Sequence, residues 1–174
     1  AFVNIGQRVG ALCRALGLRV AAFDPYMERS PVEGVEMVKD FRAILPETDF
    51  LCLHLPSTPE TRDLIGAGEL ALLKRGAFVL NCARGGIVDE DVLCDALESG
   101  HLGGAGLDVF AKEPPDTAHR LFRQEKVLLS PHNAALTEEC AIRMATPAVQ
   151  NVLDCLDGKL QPRVVMNRRE IGMA

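Results

Sequence analysis

The sequence has no run near the roughly 18 apolar residues that a membrane span needs, and no basic segment leading into an apolar core at its start. It has no block of lysine and arginine interleaved with aromatics. Its 19 basic residues are outnumbered by 24 acidic ones, for a net charge of −5. Nucleic acid is therefore not an expected partner. Six cysteines are present, yet no two form a C-x-x-C pair, which argues against a zinc knuckle and a dithiol redox motif. Most of them stand in apolar runs such as Phe50-Leu51-Cys52-Leu53, where cysteine acts as a small buried hydrophobe. Reduced thiols in a cytoplasmic protein without a metal are the expectation.

What is present is enough for one packed domain: 174 residues, 48% of them hydrophobic. Short β-rich runs alternate with longer amphipathic ones. Strands are predicted over Leu18–Phe23, Asp49–Leu55, Ala77–Asn81, Gly104–Val109 and Val127–Leu129. They read as continuous apolar runs without period-two alternation, as in a parallel sheet covered on both faces. Helices are predicted over Ile5–Leu16, with Val9, Leu12, Cys13 and Leu16 on one face and Gly17 closing it, and over Asp89–Glu98 and Leu136–Leu156. The order predicts an α/β, doubly wound parallel sheet of Rossmann type.

A dinucleotide-binding turn carries G-x-G-x-x-G before its helix. Here only the third glycine, Gly6, is present, with Ala1 and Val3 at the other two positions. Val3 is β-branched, resists positive φ and would crowd a phosphate. Asp24, eighteen residues after Gly6, ends a predicted strand where an acid would hold the adenosine ribose and repel a 2′-phosphate. As the first residue of Asp-Pro, it could equally start a turn. The strand that should precede the turn is missing, so the chain is expected to belong to a longer polypeptide.

Three later blocks carry chemistry. Asn81-Cys82-Ala83-Arg84-Gly85-Gly86 follows a strand, and an arginine there faces the ligand crevice with a fork that fits a carboxylate. Pairing of Arg84 with Asp89 or Glu90 is the bland alternative. Gly104–Phe110 places Asp108 at a strand end, and Glu113 follows before Pro114-Pro115 in a loop where a carboxylate is commonly just solvated. Ser130-Pro131-His132-Asn133-Ala134-Ala135 ends another strand on a histidine. Arginine, carboxylate and histidine after parallel strands make a coherent acid/base site: the histidine exchanges a proton with a ketone or alcohol oxygen, and the carboxylate fixes its tautomer. His54, His101 and His119 read as structural or surface residues.

From Ala1 to about Asn167 the chain resembles the NAD-binding domain of the D-isomer-specific 2-hydroxyacid dehydrogenases, with Asn81–Glu90, Gly104–Pro114 and Ser130–Ala135 its most specific blocks. The resemblance implies an NAD-dependent oxidoreductase acting on a small D-2-hydroxy or 2-keto acid. It assigns Arg84 to the substrate carboxylate and carbonyl, Glu113 to the histidine, and His132 to acid/base work. It assigns Asn4 and Ile5 to the pyrophosphate, Asp24 to the adenosine ribose, and Leu55, Pro56 and Thr58 to the length of the cofactor. Asp108 would meet the nicotinamide carboxamide, with Cys82, Ala83, Ala134 and Ala135 lining that end; Arg84 and His132 would stand beside it. It also implies a nucleotide domain over 1–160, a segment over 161–174 returning to a substrate domain whose larger part is absent, and a homodimer. Two other readings fit the same residues. One is an NAD(H)-sensing corepressor-like protein of this family; the other is a defective domain that folds without turnover.

Overall fold

The computed structural model describes residues 1–172. They fall into two compact units, one spanning Ala1–His132 and one beginning at Asn133. In the first, six parallel strands form two sheets. Strand β1 (Val20–Ala22) pairs with β2 (Val35–Met37), and β3 (Phe50–Leu53), β4 (Phe78–Asn81), β5 (Gly104–Leu107) and β6 (Val127–Leu129) lie in that order. The architecture is Rossmann-type, as expected.

The register aligns Leu53, Asn81, Leu107 and Leu129 across the four-stranded sheet. Because side chains alternate along a strand, Leu53, Val79, Ala105 and Leu107 share one face and enter the core. Helices α2 (Ala67–Leu72) and α3 (Glu90–Glu98) supply Leu70, Leu93, Cys94 and Leu97 to it. On the opposite face Phe50 and Phe78 stack at 5.4 Å but stay exposed, and Leu128 is 82% exposed. Within this unit, then, only one face of the larger sheet is covered, where the apolar runs predict two.

Asp89 caps α3, its Oδ1 accepting from the N–H groups of Asp91 and Val92 at 3.1 Å each. Leu93, one turn in, has no exposed surface. Leu93→Ala is expected to lower stability by about 2–5 kcal/mol, through lost burial and a residual cavity. Chemical denaturation checks this; a loss well under 1 kcal/mol would mean the core collapses around the site.

Several elements differ from the sequence reading. Strand β1 keeps only the middle of Leu18–Phe23. Strand β2 and helix α2 have no counterpart in the prediction: Val-Glu-Met is too short and too polar at its centre, and Ala-Gly-Glu-Leu-Ala-Leu is too short for helical periodicity. Helix α1 (Ile5–Ala15) packs through Gly6 and Gly10, while Leu12 and Leu16 are 65% and 78% exposed. A methyl group on Gly10 would meet the Phe2 ring at 2.9 Å, so close approach of backbone, rather than an aliphatic stripe, seats this helix. The cysteines are less buried than their runs suggest: only Cys94 is fully buried, Cys82 and Cys155 are exposed, and all six are unpaired.

In the second unit, helix α4 (Glu138–Leu156) starts where the Thr137 hydroxyl accepts from the Cys140 N–H at 3.2 Å, with Glu138 and Glu139 in its first turn. A short 3-10 turn follows at Pro162–Val164. Among the described residues no helix is long and apolar enough to cross a membrane.

Candidate active site

The carboxyl ends of β4, β5 and β6 deliver three loops to one edge of the first unit. After β4, the buried Asn81 side chain shapes the turn: its Oδ1 accepts from the Ala83 N–H at 3.1 Å and its Nδ2 donates to the Arg84 carbonyl at 2.9 Å. Arg84 itself is exposed, and its Nη1 donates to the Ala83 carbonyl at 2.6 Å. The bland alternative for it fails. Asp89 is used as a helix cap, and Glu90 accepts from the Ala111 N–H at 2.6 Å. Among the described residues no carboxylate pairs with Arg84, leaving its fork available to an anion.

Gly85 explains the glycine pair. A β-carbon there would sit 1.7 Å from the Phe110 carbonyl oxygen, so the Arg84 loop lies directly against the loop after β5. That second loop holds Glu113. One carboxylate oxygen accepts from the Phe110 N–H at 3.1 Å and the other takes the His132 Nδ1 at 2.8 Å. The hydrogen bond from His132 first, and the one from Phe110 next, hold the Glu113 carboxyl below its ordinary value. Glu113 is therefore an engaged acceptor and not merely a solvated loop acid. With Nδ1 committed to Glu113, Nε2 is the ring nitrogen that Glu113 leaves unengaged. His132 sits at φ 53, an uncommon left-handed backbone for a residue other than glycine.

Asp108, 2% exposed, follows β5 and accepts from the Ser130 hydroxyl at 2.5 Å. Its charge reaches Cys82, whose thiol is pushed up by desolvation and then by Asp108. Both influences favour the neutral thiol. Ala83, between Cys82 and Arg84 in sequence, is half-buried, while Ala134 falls just inside the second unit.

The helix N-terminus is built differently from the expectation. The positive φ falls on Asn4 (φ 40) and not on Val3, which is exposed. Val3 therefore does not strain the turn. Gly6 keeps the third-glycine function, since a methyl there would meet the Ala1 carbonyl oxygen at 2.7 Å and the His54 β-carbon at 3.7 Å. Asn4 and Ile5 open the first turn of α1, where unpaired N–H groups suit an anion. Asp24 is 7% exposed; Oδ2 accepts from the Phe2 N–H at 2.8 Å and Oδ1 from the Tyr26 N–H at 2.9 Å. The turn-starting role open in the sequence is thus real. An ionised carboxylate has about four acceptor sites, so two bonds leave room for ribose hydroxyls.

Three organising residues escape the sequence reading. Thr61 folds the Leu55–Thr58 loop, its hydroxyl accepting from the Thr58 N–H at 2.7 Å and donating to the Pro56 carbonyl at 2.8 Å. Asn81 shapes the arginine turn, as above. His54, read as structural, has a buried Nε2 with no hydrogen-bond partner among the described residues, beside Gly6. Burial lowers its pKa, favouring a neutral ring. A run His-Leu-Pro-Ser-Thr after a strand is the available signal for the last of these. The orphaned nitrogen, the open helix N-terminus and the buried strand-end acids together fit a dinucleotide.

A family model described as the NAD binding domain of D-isomer specific 2-hydroxyacid dehydrogenases matches residues 1–134, and the chain belongs to that family. It is 39% identical over 164 residues to the D-3-phosphoglycerate dehydrogenase of Methanocaldococcus jannaschii, covering 93% of this chain and 31% of that protein. It is 40% identical over 167 residues to the glyoxylate reductase of Aeropyrum pernix, covering 93% and 49%. Among solved structures, the NAD-complexed D-isomer specific 2-hydroxyacid dehydrogenase of Lactobacillus delbrueckii ssp. bulgaricus superposes with a TM-score of 0.86 at 31% identity, covering 96% of this chain and 54% of that one. The D-lactate dehydrogenase of Aquifex aeolicus, complexed with NAD and lactic acid, gives 0.84 at 28% identity, covering 91% and 52%. The chain spans about a third of the phosphoglycerate dehydrogenase and about half of the others.

Proposed function

We propose that the full-length protein transfers a hydride between NAD(H) and a small D-2-hydroxy acid or its 2-keto acid. The observation that carries this is the 2.8 Å Glu113–His132 pair, its Glu113 on a loop against which the Arg84 turn packs at Gly85, with no carboxylate pairing that arginine among the described residues. Bound NAD(H) supplies the hydride acceptor or donor; the chain supplies binding and proton management. Backbone N–H groups at Asn4 and Ile5 hold the pyrophosphate, and Asp24 holds the adenosine ribose and disfavours a 2′-phosphate. Leu55, Pro56 and Thr58 flank the cofactor, while Asp108 accepts from the carboxamide beside Cys82 and Ala83. Arg84 binds the substrate carboxylate and polarises its carbonyl. In reduction, His132 donates the Nε2 proton to the carbonyl oxygen, and Glu113 stabilises the imidazolium from which it departs; oxidation reverses the transfer. The same reading expects a homodimer in the cytoplasm, in keeping with six unpaired cysteines.

The test follows NADH absorbance with glyoxylate, hydroxypyruvate and related 2-keto acids on the full-length protein. Oxidation of NADH by at least one acid, with NADPH a poorer donor, is expected. Tight NADH binding without turnover on any acid defeats the enzyme reading in favour of a sensor. Absence of NADH binding points to a defective domain.

A further inference from the structure

Burying the Asp108 carboxylate is costly unless hydrogen bonds compensate it. The Ser130 hydroxyl provides one at 2.5 Å, and its place is set by the sheet: Leu107 pairs with Leu129, and the Ser130 N–H donates to the Leu107 carbonyl at 3.0 Å. Ser130 is therefore registered against the residue preceding Asp108 before its side chain makes any bond. It also begins the Ser130-Pro131-His132 segment, whose third residue is fixed at its other end by Glu113. One hydroxyl thus ties the strand-end acid after β5 to the strand end that presents the imidazole.

We infer that Ser130 is a positioning residue: by holding Oδ1 of Asp108 it fixes the carboxylate that accepts from the nicotinamide carboxamide, and so sets the nicotinamide ring relative to His132. A charged acceptor holds a hydroxyl donor more strongly than a neutral one does, so the carboxylate keeps one orientation in place of several. The inference rests on the reading of Asp108 as the carboxamide acceptor. A serine that served only to satisfy a buried charge would affect folding and every ligand alike. A positioning serine affects only ligands that carry the nicotinamide.

The experiment measures dissociation constants for NADH and for ADP-ribose, which lacks the nicotinamide, on the full-length protein. Ser130→Ala is expected to weaken NADH about tenfold, the scale of a hydrogen bond to a charged group, and to leave ADP-ribose within about twofold. Ser130→Thr, which keeps the hydroxyl, is expected to restore NADH binding, whereas Ser130→Val, of the same shape without it, is not. The Thr and Val pair decides the matter even if the alanine variant folds poorly. Equal weakening of both ligands, or equal behaviour of Thr and Val, overturns the inference. Asp108→Asn separates the two layers. If it weakens NADH selectively while Ser130→Ala and Ser130→Val do not, the Asp108 reading stands and the Ser130 inference falls. If Asp108→Asn spares NADH, the Asp108 reading falls and takes the inference with it.

Discussion

Replacing His132 by alanine is expected to slow 2-keto acid reduction by the full-length protein about 10²–10⁴-fold, the usual contribution of a positioned general acid. The imidazole is not interchangeable with water here. Glu113 accepts from Nδ1 at 2.8 Å and is itself tethered to the Phe110 N–H at 3.1 Å, so ring orientation and tautomer are both imposed. The backbone at φ 53 complicates the alanine variant, because alanine tolerates that conformation poorly and stability would fall with activity. His132→Asn separates the effects, since asparagine adopts left-handed backbone readily and can still donate to Glu113, but carries no proton to give. It should fold like the parent and be as slow as the alanine variant. Steady-state rates beside melting temperatures check this. Turnover within a few-fold of the parent in either variant would remove His132 from the acid/base role.

The second large effect is on folding. Gly85→Ala would place its β-carbon 1.7 Å from the Phe110 carbonyl oxygen and 2.8 Å from the Ala111 nitrogen. Both are backbone atoms, so no side-chain rotation relieves the clash. The two loops must part by more than an ångström, in a place where the Glu90 carboxylate already ties the Ala111 N–H at 2.6 Å. Overpacking in a well-packed region costs about 1–3 kcal/mol and sometimes more. A rigid backbone clash belongs at the upper end, about 3 kcal/mol or beyond. Gly68→Ala is the control, because nothing lies within 4 Å of its β-carbon position and it stands in helix α2. Alanine there should stabilise by about 0.5–1 kcal/mol. Denaturation midpoints for the pair decide the matter: similar stabilities would show that the 85 and 110 loops do not pack as described.

The large pieces of this fold are legible in the sequence because they are periodic or apolar. Strands β3 to β6 declare themselves as continuous hydrophobic runs, and α3 by its acidic start and Asp89 cap. Strand β2 is invisible because its three residues, Val35–Met37, pair in parallel with β1 and take their structure from that partner. The seat of α1 is misread for a related reason: pattern matching counts apolar side chains, whereas Gly6 and Gly10 pack by having none. In the site, Arg84, Asp108, Glu113 and His132 are legible from position after strands. Ser130 is not, since its hydroxyl bonds to Asp108, which only the folded chain brings near. Thr61 and Asn81 bond to nearby main-chain atoms, and residue type alone does not mark which local bond forms. Asp24 is half legible: the sequence offers a ribose acid or a turn former, and the turn bond to Tyr26 coexists with the buried bond to Phe2.

That double use of Asp24 constrains what the protein can become. On the proposed role of Asp24 at the adenosine ribose, neutralising position 24 is the first step toward accepting a 2′-phosphorylated dinucleotide, because it removes the repelling charge. Here the same carboxylate fastens the main chain at Phe2, itself 4% exposed, and at Tyr26. Losing the acceptor for a buried N–H costs about 1–3 kcal/mol, so the step toward new cofactor preference is also a step toward a looser N-terminal turn. Any lineage that makes it must find a second substitution to hold Phe2 in place. On that proposed role, cofactor choice and local order are inherited together, and preference for the unphosphorylated dinucleotide is protected by an architectural cost that has nothing to do with the cofactor.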